Sequence, residues 1–194
     1  IRDRLKGEEG RIFIKINSLT DAEIIDKLSQ ASCAGVKIQM VVRGICCLLP
    51  GIPGKTENIQ VSSIVGRYLE HSRIYSFGVG AEQKLYISSA DLMTRNMQRR
   101  VEVAVPIYAP HIRERINHIL DVYFRDTAKA RELKSDGNYE RSPDYFGGLS
   151  AQEQFMAEAL ENADTEKPRG EGWLHRKVRE KVTRWYRSLT SDLD

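Results

Sequence analysis

The sequence predicts an α/β fold: a mixed sheet flanked by helices, with a helical tail at the C-terminus. Three observations predict it. A β-branched run, a one-sided apolar stripe and a second β-branched run follow one another near the start. Further strand-like runs come next, separated by glycine and proline turns. The final stretch has helical composition with its acids and bases segregated.

Arg11-Ile12-Phe13-Ile14-Lys15-Ile16 reads as a strand that ends in the polar turn Asn17-Ser18. Thr20 with Glu23 three residues later fits a capping box, and Ile24, Ile25, Leu28 and Ala31 form a stripe that stops near Gly35. Val36-Lys37-Ile38-Gln39-Met40-Val41-Val42 begins by alternating and ends fully apolar, as a strand entering a covered sheet does. The three make a βαβ unit, for which a parallel pair is the natural arrangement. Strand-like runs follow at 59–65, 73–77, 85–88 and 101–107, with Gly78-Val79-Gly80 as a hairpin turn, and a helix is expected over 110–130. The composition changes after Lys134. Residues 1–135 are therefore read as one α/β domain, 136–172 as a variable acidic linker or insertion, and 173–194 as a basic amphipathic terminal helix.

The chain has 194 residues, enough for one ordinary domain with an appendage, and 41% apolar residues let it bury a core. A net charge of +3 is too mild for a dedicated nucleic-acid binder. No apolar run is long enough to span a membrane, and the charged start lacks the apolar stretch of a signal peptide. A soluble intracellular chain is expected, and the opening on Ile1 suits a piece of a longer polypeptide. Cys33, Cys46 and Cys47 are an odd set with no histidine at ligand spacing, so reduced, buried thiols are expected rather than a disulfide or zinc. From residue 147 to 166 there are five acids and no base; from 173 to 189 six bases stand against Glu180, with Trp173, Trp185 and Tyr186 interleaved.

Gly51-Ile52-Pro53-Gly54-Lys55-Thr56 ends like a phosphate-binding P-loop, but Leu49 stands where that loop needs its first glycine and Pro53 removes a donor. It reads as an ordinary turn. Arg43-Gly44 follows a strand directly, and in open α/β sheets ligands gather beyond the carboxyl ends of strands. A guanidinium there suits phosphate, because its planar fork donates paired hydrogen bonds. His71 precedes another strand, with Arg73 two residues on, and Ser88-Ser89-Ala90-Asp91 follows a strand later with Arg95-Asn96 behind it. A histidine, a nearby cation and a small-polar turn after the next strand resemble a half-motif of the phospholipase D superfamily, which moves phosphoryl groups through histidine.

Four stretches in order make the resemblance specific. Ile14-Lys15-Ile16-Asn17-Ser18-Leu19, Val42-Arg43-Gly44-Ile45-Cys46-Cys47, Gly66-Arg67-Tyr68-Leu69-Glu70-His71-Ser72-Arg73-Ile74-Tyr75 and Ser88-Ser89-Ala90-Asp91-Leu92-Met93-Thr94-Arg95-Asn96 are similar to successive signatures of the C-terminal, phospholipase D-like catalytic domain of long-form polyphosphate kinase. The similarity spans about residues 11–135, and the basic stretch from Lys167 to Leu189 also resembles that family's terminal segment.

The resemblance implies a phospholipase D-like mixed sheet and a bacterial-type, cytoplasmic enzyme, with peripheral contact to the inner membrane allowed. It would transfer the ATP γ-phosphoryl group reversibly to polyphosphate through a phosphohistidine, with Mg2+. It implies Arg43 and His71 as ATP-contacting positions, His71 being a supporting group and not the phosphoacceptor, and Arg73, Ser89, Arg95 and Asn96 as further ATP or phosphate ligands. The phosphoacceptor and the main Mg2+ ligands belong to preceding domains, so no metal ligand is assigned within this chain, the isolated chain is expected to be inactive, and the full-length enzyme is expected to form a homo-oligomer. Two departures stand out: Arg73 replaces the usual lysine, and Gly78 occupies the place of the motif aspartate. Glu70, Asp91 or a group from another domain would then have to orient His71. His111, His118 and His175 lack comparable company. A second function class remains open, a non-catalytic polyanion-binding module that uses the basic tail with Arg95, Arg99 and Arg100 to hold phosphate chains or nucleic acid. A self-contained phosphodiesterase would need two histidine half-motifs, and this chain has one.

Overall fold

The computed structural model describes residues 1, 4, 7 and 9–165. Strand β1 (Arg11–Ile16), helix α1 (Ala22–Cys33) and strand β2 (Lys37–Val42) form the expected βαβ unit, with β1 and β2 parallel in the register Arg11 to Lys37. Strand β3 (Ile59–Ile64) extends the parallel block. On the other side β4 (Ile74–Phe77), β5 (Lys84–Ser88) and β6 (Ala104–Pro106) add antiparallel strands, and β7 (Ala130–Leu133) and β8 (Tyr139–Arg141) close the far edge. The eight strands run in the order β6-β5-β4-β1-β2-β3-β7-β8. Helices α2 (Thr94–Gln98), α3 (Pro110–Phe124) and α4 (Ala151–Thr165) and two short 3-10 turns at Gly80–Glu82 and Pro143–Tyr145 complete the described elements. The mixed α/β sheet with flanking helices is as the sequence predicts.

Alternation along β1 divides the core between two faces. Ile14 and Ile16 pack with Leu28 and Ala31 of α1 and with Ile38, Met40 and Val42 of β2. Phe13 turns the other way, joining Ile74, Leu85, Ile116 and Leu120 beneath α3, with its ring 5.1 Å from that of Phe124. Lys15 shares the face of Phe13 and is completely buried. At the carboxyl end of the parallel strands three loops are tied together by backbone bonds: Leu19 N–H donates to Ile45, Cys47 N–H to Leu19, and Leu92 N–H to Ser18. These bonds bring the ends of β1, β2 and β5 to one place.

Local details differ from the sequence reading. Asp21, not Thr20, caps α1: its carboxylate accepts from Ile24 N–H, while Thr20 N–H is drawn to Leu92. The 101–107 run forms only β6, because Ser89 Oγ accepts from Val103 N–H and interrupts the ladder. Helix α3 stops at Phe124, and Asp126 then accepts from Lys129 and Ala130 N–H to turn the chain into β7. Strand pairing continues past the compositional change at 135, through the hairpin that puts β8 on the sheet edge. The thiols are free but not buried as a set: Cys33 and Cys47 are exposed and only Cys46 is half-buried, because Cys33 ends α1 on its outer side and Cys47 lies in a loop. The Gly51–Thr56 segment is an ordinary turn, closed by Thr56 Oγ1 on the Leu49 carbonyl.

The chain divides into two compact units, Ile1–Gln154 and Phe155–Asp194. Described in the second are the later turns of α4, which fall in the acidic stretch. The basic helix expected over 173–194 lies outside the described residues. No helix among the described residues is long and apolar enough to cross a membrane.

Candidate functional site

Arg43 leaves the end of β2 half-buried, and its Nε donates to Asn17 Oδ1 at 3.1 Å. Gly44 beside it permits the contact: its N–H donates to the Asn17 carbonyl at 2.7 Å, and a β-carbon there would stand 2.9 Å from that oxygen. Asn17 in turn gives its backbone N–H (2.7 Å) and its side-chain amide (3.3 Å) to the two oxygens of Asp91. Arg73 grips the same carboxylate with Nε at 3.2 Å and Nη2 at 3.0 Å, a two-pronged charge-assisted pair. Its remaining terminal nitrogen, Nη1, donates to the His71 carbonyl at 3.1 Å and lies 3.4 Å from His71 Nδ1. Arg43, Asn17, Asp91, Arg73 and His71 are therefore one hydrogen-bonded chain across the ends of β1, β2 and β5 and the start of β4.

Burial alone would raise the Asp91 carboxyl, but the donors of Arg73 and Asn17 outweigh it and hold the group below its ordinary range. The ring of His71 is exposed and is met by a guanidinium rather than by a carboxylate. Gly78, at the place of the motif aspartate, has φ of +81°, a conformation that strains an aspartate, and its N–H is used by Arg11.

Beneath this chain Lys15 holds the loop that carries His71. Its ammonium donates to the carbonyls of Glu70 (2.7 Å) and Ser72 (3.1 Å), the two residues flanking the histidine. Glu70 is turned inward: Tyr123 Oη donates to its Oε2 at 2.5 Å, Gln152 Nε2 to its Oε1 at 2.7 Å, and Lys15 Nζ stands 3.7 Å away. Burial pushes Lys15 down to about 8, against the attraction of Glu70, and burial with the Glu70 contact pushes Tyr123 up. Of the two carboxylates in this chain that the sequence offered as partners for His71, Glu70 anchors the loop and Asp91 acts through Arg73.

Ser89 and Asn96 are turned elsewhere. Both bond to Glu102, Ser89 Oγ to Oε2 and Asn96 Nδ2 to Oε1, and these two contacts lower the Glu102 carboxyl. Arg95 is exposed on α2. The structure thus joins Arg73 to His71 directly and Arg43 to them by way of Asn17 and Asp91, and leaves Ser89, Arg95 and Asn96 outside that chain. Sequence reasoning gave no role to Asn17 or Lys15. Asn17 lies at the end of β1 as Arg43 lies at the end of β2, and Lys15 is a charge set inside an apolar strand; those were the available signals. The described residues do not gather a magnesium site: no group of three or more His, Cys, Asp or Glu comes together among them, and Asp91 and Glu70 have their oxygens committed to internal donors.

The arrangement is that of a mixed α/β domain whose strand ends carry two arginines and a histidine in one hydrogen-bonded chain. A family model, Polyphosphate kinase C-terminal domain 2, matches residues 1–152, and the chain belongs to that family. The polyphosphate kinase of Staphylococcus haemolyticus is 48% identical over 160 residues, which is 82% of this chain and 22% of that protein. That of Bacillus cereus is 55% identical over 130 residues, 67% of this chain and 18% of that protein. The crystal structure of polyphosphate kinase from Porphyromonas gingivalis matches with a TM-score of 0.79 at 38% identity, covering 84% of this chain and 25% of that one. The chain therefore spans about a fifth of the length of these curated relatives.

Proposed function

We propose that this chain acts as the C-terminal domain of an ATP:polyphosphate phosphotransferase and supplies Arg43 and His71 to the phosphoryl group in transit. The observation that carries the reading is the continuous hydrogen-bonded chain from Arg43 to His71. Phosphoryl transfer asks a protein mainly for positioning and charge neutralisation. Arg43 spends Nε on Asn17, which fixes the guanidinium and leaves its two terminal nitrogens for phosphate oxygens. His71, held by Arg73 through its carbonyl and exposed at its ring, donates a ring N–H to a phosphoryl oxygen as a supporting group. In this reading the phosphohistidine belongs to a preceding domain. Magnesium, when bound, neutralises phosphate charge; in this reading its ligands lie outside the described residues, and the reaction belongs to the cytoplasm.

The test is a pair of measurements on the 194-residue chain. ATP added to 15N-labelled protein is expected to shift the side-chain resonances of Arg43 and His71, while no ATP-dependent polyphosphate accumulates. Polyphosphate synthesis by the chain alone contradicts the assignment of the phosphoacceptor to a preceding domain, and unmoved resonances contradict the contact itself.

A further inference from the structure

A cavity of about 580 Å³ opens where β2 and β3 end, within the range of small-ligand sites. Arg43, Lys129, Arg131 and Arg141 line it with Tyr139 and Tyr145, and no acidic residue does among the described residues. Three of the four cations come from the β7–β8 hairpin and the turn before it, and the pattern of that hairpin separates charge. Arg131 stands opposite Arg141 and Glu132 opposite Glu140. Because side chains alternate between faces, the two arginines share one face and the two glutamates the other. On the acidic face Lys134 lies 2.5 Å from Glu132 and 3.8 Å from Glu140. The basic face has no such compensation: among the described residues no carboxylate pairs with Arg43, Lys129, Arg131 or Arg141. Like charges opposed directly across a strand pair are destabilising, so the Arg131–Arg141 pair carries a cost that a bound anion removes.

The shape of the cluster indicates which anion. Ser63, Arg131 and Arg141 follow one another in register across β3, β7 and β8, and Ser63 Oγ donates to the Arg43 carbonyl at 3.3 Å. From Arg43 at the end of β2 to Arg141 on β8 is three strand spacings, roughly 14 Å. Four cations with no acidic partner among the described residues, spread over that length, match the charge of several linked phosphates better than that of one. The Arg141 guanidinium lies 4.2 Å over the ring of Tyr145 and covers that face against a base, and stacking leaves its in-plane N–H groups free to donate.

We propose that this cavity is a subsite for a linear phosphate chain, with Arg43 at the reacting end and Lys129, Arg131 and Arg141 holding the groups behind it. The inference rests on the reading of Arg43 as a contact of the reacting phosphate. It is tested by calorimetric titration of the 194-residue chain over a range of salt, with long-chain inorganic polyphosphate, ATP and a single-stranded oligonucleotide as probes. The double variant R131Q/R141Q is expected to bind polyphosphate about tenfold or more weakly, as for lost charge-assisted contacts, and with a shallower salt dependence. Its ATP affinity stays unchanged, and its melting temperature without ligand equals or exceeds that of the wild type. Unchanged polyphosphate affinity, an equal loss for ATP, or oligonucleotide binding as tight as polyphosphate binding each overturns the subsite. R43Q in the same titrations separates the two readings. If it changes nothing while R131Q/R141Q weakens polyphosphate, the chain subsite stands and the assignment of Arg43 to the reacting end falls.

Discussion

Asp91 fixes two cations at once, because its oxygens receive Arg73 directly and Arg43 by way of Asn17. Replacing it by asparagine keeps the volume but removes the charge that both cations rely on. Asp91→Asn is expected to lower stability by roughly 3 kcal/mol, the scale for taking one partner from a buried pair, as read by urea denaturation. A loss below about 1 kcal/mol, the scale of an exposed pair, means that the pair does not organise the site. At this scale the sequence was partly legible. Arg43 and His71 stood out because a strand end and a family signature both marked them. The Arg73–Asp91 grip was hidden, since eighteen residues separate the partners and only the β4–β5 hairpin brings them together.

Helix α1 and the buried side chain of β1 carry the element-scale predictions. Asp21→Ala removes the one side-chain cap of α1 and is expected to cost about 1 kcal/mol by thermal or denaturant unfolding, whereas Thr20→Ala, which the capping-box reading made critical, is expected to cost less. Lys15 gives strand β1 a pH signature. Its pKa falls from 10.5 to about 8 on folding, so between those values unfolding takes up a proton and stability rises with pH. The rise approaches about 1.4 kcal/mol per pH unit. The half-buried thiol of Cys46 and the buried hydroxyls of Tyr75 and Tyr123 are shifted up and act in the opposite sense above their ordinary values of 9.0 and 10.0, so pH 8 to 9 is the clean window. Lys15→Met is expected to flatten the slope there; an unchanged slope assigns it to another group. The βαβ unit was legible because its periods of 3.6 and 2 are long and apolar. The β7–β8 hairpin was not, since its short strands bear charges on both faces and read as a polar extended segment.

Across the whole molecule, the parallel block and its three tied loops form a scaffold that points cations beyond the strand ends, where open α/β sheets collect ligands. The chain spans about a fifth of its curated relatives, and the reading assigns the reacting histidine to the remainder. Its central claim is that Arg43 and His71 act on the phosphoryl group. The direct measurement is ATP-dependent polyphosphate synthesis by a full-length kinase of the family with this chain as its C-terminal domain, Arg43→Ala and His71→Ala being compared with the unsubstituted chain. Each variant is expected to lose about ten- to a hundredfold in kcat/KM, equivalent to roughly 1.5–3 kcal/mol of charge-assisted contact, at unchanged melting temperature. Arg43→Lys should restore only part of the loss, because a point charge lacks the paired donors of the guanidinium. Wild-type kinetics in both alanine variants would contradict the account and reduce the hydrogen-bonded chain to a brace for the strand ends.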